Sequence, residues 1–103
     1  MQQKLLTIVV SESDQWEVIP LYEAIVRKLM HLEAPGATVQ KGVMAFGRHH
    51  KRLHHAQLFG VAEDRPMTIS VVHSEEALRS LVIPAIRVMV RHGVMFLVDA
   101  EVI

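Results

Sequence analysis

The residues best suited to chemistry form a basic, histidine-rich stretch near the middle of the chain. The eight residues from Arg48 to His55 include three fixed cations and four histidines. Guanidinium and ammonium groups bind phosphates and other anions, so we expect Arg48, Lys51 and Arg52 to contact a small anionic ligand. Gly47, which precedes them, either lets the backbone approach that ligand closely or simply turns the chain.

The histidines of this stretch offer a second chemistry. His49, His50, His54 and His55 are able to ligate a divalent transition metal, or to change charge between about pH 5 and 8. Neighbouring histidines in an extended backbone point to opposite faces, so a metal site would need further ligands from elsewhere in the chain. A metal site is therefore the alternative to an anion site, and a solvated basic loop without any ligand is the plainest interpretation.

A short acidic turn is the other candidate for ligand binding. Glu12 and Asp14 follow an apolar strand, and open α/β sheets often place ligands at the carboxyl ends of their strands. Their simpler role is to cap the helix that follows, because Asp14 and Glu17 have the spacing of a capping box. Trp16 either covers an apolar ligand or packs at a subunit interface.

The pattern of apolar residues predicts the elements that hold these candidates. We expect strands over 4–11, 37–46, 67–73 and 94–98. We expect one helix from Pro20 to Pro35-Gly36, and a second from Ser74 to Arg91-His92-Gly93 that Pro84 kinks or divides. The 18 residues of segment 47–64 then form a long connection, and such loops are commonly mobile or functional.

This order of elements, βαββαβ, predicts an α+β ferredoxin-like sandwich that forms one domain over residues 1–103. Right-handed connections place both helices on one face of a four-stranded antiparallel sheet and leave the other face uncovered. Half of the residues are hydrophobic and the mean hydropathy is +0.26, which is high for so small a chain. We therefore expect two or three copies to bury the uncovered face between them.

Composition excludes several classes of function. Lys and Arg together number 11, as do Asp and Glu, and only 5% of residues are aromatic, so a nucleic-acid partner is not expected. The chain has no cysteine for disulfides or thiolate chemistry. It has no signal-peptide pattern and no apolar run long enough to insert in a membrane, which predicts the cytoplasm. The absence of catalytic motifs predicts a binding protein and not an enzyme.

Several segments resemble one known family, the domain of unknown function 190. The resemblance rests on KLLT at 4–7, SESD at 11–14, PLYEAIV at 20–26, GATV at 36–39, Gly42, Phe46, Gly47, EDRP at 63–66, SEE at 74–76 and VDAEVI at 98–103. Together these segments span nearly the whole chain, so the resemblance is more specific than any single motif.

The resemblance implies a PII-like ferredoxin fold and a homotrimer. It also implies that segment 47–64 corresponds to the effector loop of PII signalling proteins, which contacts a protein partner. Members of that wider group bind nucleotides or other small ligands between subunits, near the base of the loop. An adenine nucleotide is therefore a candidate ligand, and Glu12, Asp14, Gly47, Arg48, Lys51 and Arg52 are the residues we expect near it.

Overall fold

The structure is a computed structural model that describes residues 2–47, 50–55 and 64–103. Within these ranges the strands are β1 (Gln3–Ser11), β2 (Gln15–Trp16), β3 (Ile19–Pro20), β4 (Thr38–Lys41), β5 (Met44–Gly47), β6 (His50–His55), β7 (Pro66–Ser74) and β8 (Val94–Asp99). The helices are α1 (Leu21–His31), α2 (Glu75–Ala77) and α3 (Ile83–Arg87), and a π-helical segment, Leu78–Val82, joins the last two.

Four of these strands form the main sheet, in the order β4-β7-β1-β8, with every neighbouring pair antiparallel. Strand β1 pairs with β7 along its full length, from Gln3 opposite Ser74 to Ser11 opposite Pro66. The helices follow β1 and β7, so two β-α-β halves interlock through the two central strands. The predicted ferredoxin-like sandwich is confirmed.

The core lies between the helices and one face of this sheet. Alternate residues of the central strands point into it, as the period of two requires. Buried side chains come from β1 and β7 (Leu6, Ile8, Val10, Met67, Ile69, Val71) and from the helical layer (Leu21, Ala24, Ile25, Leu29, Leu78, Val82, Ile86, Met89). Each large side chain that is fully buried stabilises the fold by roughly 1.5–3 kcal/mol, so this layer holds the helices to the sheet.

The opposite face of the sheet is apolar and has no covering layer within the described chain. Residues directly opposite one another in antiparallel strands share a face, so Phe96 lies beside Thr7, and Val98 lies beside Leu5. Val94, Phe96 and Val98 are 52%, 47% and 44% exposed. The expected uncovered apolar face is thus present in the isolated chain.

The approach to α1 differs from the prediction. The capping box does not form, because the Asp14 carboxylate accepts a hydrogen bond from Ser11 N at 3.1 Å and α1 has no side-chain cap. The chain instead makes the small β2–β3 hairpin, with Glu17 in the left-handed region at φ 58°. Leu21 N then donates to Asp14 O at 2.7 Å, which fixes where the helix begins.

The end of α1 also precedes the expected Pro35-Gly36. Glu33 takes the left-handed position at φ 62°, and Ala34 N donates to Leu29 O while Glu33 N donates to Met30 O. These two bonds define a Schellman motif, which satisfies the last carbonyls of the helix. A glutamate occupies the position where glycine is usual, so the glycine signal placed the helix end too late.

The second helical region is divided, as Pro84 predicts. Ser74 Oγ accepts from Ala77 N at 3.2 Å and caps α2. The π-helical segment precedes Pro84, which occupies the first turn of α3, where a missing N–H costs little. Helix α3 ends at Arg87, so the expected end at Arg91-His92-Gly93 was wrong. None of the helices in the described ranges is long and apolar enough to cross a membrane.

The region after α1 contains more strand than predicted. The single strand expected over 37–46 is two strands, β4 and β5, separated at Gly42, whose N–H donates to Pro66 O at 2.7 Å. A Cβ at Gly42 would lie 2.5 Å from Pro66 Cγ, so the chain packs closely at this glycine. Segment 47–64 was expected to be a loop, but its residues His50–His55 form β6, which pairs with β5 in a separate two-stranded sheet.

Gly93, before β8, gives a test of how tightly the chain packs against β1. A Cβ there would lie 2.5 Å from Val9 O and 2.8 Å from Val90 Cγ1, and a backbone carbonyl cannot move away cheaply. We expect Gly93→Ala to lower the free energy of unfolding by about 1–3 kcal/mol in urea denaturation. Gly36→Ala is the control, since a Cβ there meets nothing within 4 Å. Equal losses in the two variants would contradict this packing.

The ion pair between Lys4 and Asp99, which joins β1 to β8, gives a second test. The hydrogen bond and the positive charge of Lys4 hold the pKa of the Asp99 carboxyl below its usual value. The ion pair therefore adds to the free energy of unfolding at pH values above the pKa that Asp99 has in the unfolded chain. This stabilisation is lost as the pH falls through the lower pKa that Asp99 has in the folded chain. In an NMR titration, Lys4→Met should raise the pKa of Asp99. Lys28→Met, on α1, should leave it unchanged.

Candidate functional site

Three parts of the chain meet at the carboxyl end of β1 in what we call the base junction: the turn of residues 11–14, Lys41-Gly42 at the end of β4, and residues 64–66 at the start of β7. Glu12 N donates to Arg65 O at 2.8 Å, so the turn is bonded to the backbone that enters β7. The bond from Gly42 N to Pro66 O ties the exit from β4 to the same point. Both ends of the segment between β4 and β7 are therefore anchored here.

A side-chain clamp reinforces the base junction. The Asp64 carboxylate accepts from Ser13 N at 3.0 Å and from Ser13 Oγ at 2.7 Å, through its two oxygens. Hydrogen bonds to an ionised carboxylate are stronger than those between neutral groups. This clamp fixes the position at which the chain returns from the hairpin to the sheet.

A cation and a carboxylate form the polar surface of the base junction. Lys41 Nζ lies 2.8 Å from Glu12 Oε2, and both side chains are partly open to solvent. Partly exposed ion pairs contribute little to stability, because water solvates each charge almost as well as the partner does. An incoming anion can therefore replace Glu12 as the partner of Lys41 at small energetic cost.

The two acidic candidates, Glu12 and Asp14, have different surroundings. Glu12 faces Lys41 at the base junction. Asp14 is turned toward its own backbone, where it accepts from Ser11 N, and its N–H donates to Ser11 O at 3.1 Å. Asp14 thus shapes the turn that presents Glu12, and the role of both residues in ligand binding stays a prediction.

The basic candidates belong to the β5–β6 hairpin. Gly47 is the last residue of β5, and Lys51 and Arg52 are consecutive positions of β6. Gly47 pairs with His50, and Met44 pairs with His55. Lys51 and Arg52 therefore lie nearer to the Gly47 end of the hairpin than to the Met44 end, which follows β4. Arg48 lies outside the described residues. Glu12 and Asp14 are on a different element from these candidates.

The alternative metal site also stays a prediction. His50, His54 and His55 are residues of β6, and His49 lies outside the described residues. Elsewhere in the described part of the chain, no three His, Cys, Asp or Glu side chains gather closely enough to hold a metal ion.

Trp16 separates two open cavities on the helical side of the sheet. One, of about 390 Å³, is lined by charges of both signs, among them Asp14, Glu17, Arg91 and His92. The other, of about 430 Å³, lies between α1 and α3. Trp16 is half-buried and packs against the core. It lines both cavities, so its side chain is a wall that they share.

Sequence reasoning missed two residues of the base junction, Lys41 and Asp64. Lys41 lies inside the strand expected over 37–46 and Asp64 ends segment 47–64, and neither was named as a candidate for ligand binding. The partners are distant along the chain, since Ser13 and Asp64 are 51 residues apart. No local spacing signals such a pair, and only the antiparallel register of β1 with β7 brings them together.

Comparisons with known proteins agree with this architecture. The chain matches the family DUF190, described as "Uncharacterized ACR", over residues 3–102. It is 26% identical over 79 residues to a UPF0166 protein of Aquifex aeolicus (strain VF5). The aligned region covers 77% of this chain and 74% of that protein.

A solved structure shares the fold over almost the whole chain. It is CPII, a nitrogen regulatory PII-like protein from Thiomonas intermedia K12, bound to ADP, AMP and bicarbonate. The TM-score is 0.68 at 20% identity, and the match covers 99% of this chain and 89% of CPII. The family match and the shared architecture lead to one assignment: the chain belongs to the DUF190 family and has a PII-like ferredoxin fold.

Proposed function

We propose that this protein is a PII-like regulator that binds a small anionic ligand beside the base junction, in a cleft between subunits, and a protein partner through segment 47–64. The observation that carries the proposal is the base junction itself, where an exchangeable cation lies at the foot of a basic hairpin. An adenine nucleotide is the first candidate, because the structurally similar CPII is described as bound to ADP and AMP.

Lys41 and the cations of the neighbouring hairpin are the groups that would bind an anion. Lys41 is paired only with the partly exposed Glu12 in the described residues, and a phosphate carries more charge than a single carboxylate. Lys51 and Arg52 belong to β6, and Arg48 adds a third fixed cation in the sequence just before that strand. A phosphorylated ligand that replaces Glu12 would therefore gain contacts from both the sheet and the hairpin.

The uncovered sheet face supports a site between subunits. Val94, Phe96 and Val98 form a continuous exposed row on β8, and contiguous apolar surface of this kind marks an interface. A homotrimer that packs these faces together would bring the base junction of one copy near its neighbour. The subunits then create clefts that a single chain lacks.

The anchoring of the hairpin suggests how a ligand would regulate the protein. Both ends of the segment between β4 and β7 connect to the turn of residues 11–14, through Lys41 on one side and Asp64 on the other. A ligand that takes Lys41 away from Glu12 changes one of these two connections. If the hairpin has two arrangements, the ligand shifts the balance between them only by the difference in its affinity for the two. A protein partner that binds one arrangement would then respond to the ligand.

The same arrangement favours a binding protein over an enzyme. In the described part of the chain, the carboxylates of the base junction are engaged by Ser13, Ser11 and Lys41. Catalysis by an acid or base needs a group directed at a substrate, with a pKa suited to proton transfer.

The proposed assembly predicts the effect of a charge on the sheet face. Phe96→Glu places a carboxylate in the buried interface, so we expect it to shift the protein from a trimer to a monomer in sedimentation velocity at micromolar concentration. Val18→Glu is the matched control, because Val18 is 91% exposed on the β2–β3 turn, away from that face. A wild-type protein that sediments as one chain would rule out the proposed assembly.

The proposed ligand site predicts which cations matter for nucleotide binding. In isothermal titration with ADP, AMP and ATP, we expect heat with at least one nucleotide and at least tenfold weaker binding in Lys41→Ala and in the double variant Arg48→Ala, Arg52→Ala. Arg79→Ala is the control, because Arg79 pairs with Glu75 on the helical layer. The proposal fails if no nucleotide gives heat, or if all variants bind like the wild type.

A further inference from the structure

The outer surface of the helical layer contains a groove that is separate from the base junction. It has a volume of about 430 Å³ and lies between α1 and α3. Ala24 on α1 and Ala85 on α3 line it, and their short side chains leave space where larger residues would close the gap between the helices. The groove exists in one chain and needs no second subunit.

The walls of the groove are apolar. Trp16 and Ile19 close one end, and Val88 and Met89 form the side that belongs to α3 and the turn after it. Val88 is 70% exposed. A ligand with an apolar body would cover Val88 and the open edge of Trp16.

The remaining wall of the groove is basic. Arg27, Lys28 and His31 line it from α1, where they follow Ala24 at spacings of three, four and seven and so share its face of the helix. Arg27 is bonded to Glu23, whereas Lys28 makes no ion pair among the described residues. No acidic side chain lines the groove, so its charge is of one sign.

We propose that this groove binds a small amphipathic anion, with an aliphatic or aromatic body and one carboxylate head group. The apolar body lies over Ala24, Ala85 and Val88, and the carboxylate pairs with Lys28. The volume falls within the range of about 300–1,000 Å³ of ordinary small-molecule sites, and the combination of apolar walls with a single charged group is typical of them. This site is independent of the nucleotide site proposed at the base junction.

Trp16 provides a direct measurement, because it is the one tryptophan of the chain and lies in the groove wall. The probes are dodecanoate, below its micellar concentration, and the fluorescent anion anilinonaphthalene sulfonate. We expect saturable quenching of Trp16 emission by the sulfonate, and we expect dodecanoate to displace it. Dye fluorescence without quenching of Trp16 would place the dye on the uncovered sheet face and overturn the proposal.

Charge-reversal variants locate the head group. Lys28→Glu should weaken dodecanoate binding at least tenfold, whereas Arg87→Glu, which makes the same change of charge on the exposed side of α3, should change it less than twofold. Equal effects of the two variants would overturn the proposal. So would a loss of binding in Arg91→Glu but not in Lys28→Glu, because Arg91 lines the neighbouring cavity beside Trp16.

A filled groove gives a second test that leaves every charge in place. Ala85→Leu should abolish displacement of the dye by dodecanoate, because the larger side chain occupies the space of the apolar body. Circular dichroism and the thermal midpoint confirm that this variant folds. If the substitution proves unstable, Val88→Ser tests the same wall, and wild-type affinity in a folded variant would overturn the proposal.

Discussion

The antiparallel pairing of β1 with β7 is the interaction on which the rest of this structure depends. It runs from Gln3 opposite Ser74 to Ser11 opposite Pro66, without a register shift. Because side chains alternate along a strand, this register sends Leu6, Ile8, Ile69 and Val71 toward the helices, where they are buried. A slip of one residue would reverse the two faces and expose the entire core.

The same pairing creates the surfaces available for function. The helices cover one face of the sheet, and the apolar row on β8 lies on the other face, where it is exposed in the single chain. At the carboxyl end of β1, the pairing brings Ser13 to Asp64 and places the turn of residues 11–14 next to Lys41. On the far side of the molecule, α1 and α3 pack on the sheet with alanines between them and leave a groove with basic residues on one side only.

The sequence predicted the parts of the fold that an apolar period specifies. The central strands and α1 have such periods. Two single residues were also informative, because Ser74 caps α2 and Pro84 divides the second helical region. The β2–β3 turn and β6 were missed because their strands depend on a neighbouring strand and not on burial, and HKRLHH has no apolar alternation. The end of α1 was misplaced because Glu33 adopts a conformation that glycine normally signals.

The candidate site was predicted less completely than the fold. Glu12 was identified from its position after β1, and it does lie at the base junction. Its partner Lys41, and the clamp between Ser13 and Asp64, depend on contacts between residues far apart in sequence. Such contacts produce no periodic pattern in the sequence. They are seen only when the pairing of the strands is known.

Within the described ranges, the β5–β6 hairpin forms its own two-stranded sheet, separate from the main one. The strand pairing of the main sheet therefore does not depend on the sequence of the hairpin. During evolution, such an appendage can acquire new recognition chemistry at little thermodynamic cost to the body that carries it. A scaffold of this kind separates the requirement to fold from the requirement to recognise, and one framework can then serve many different binding specificities.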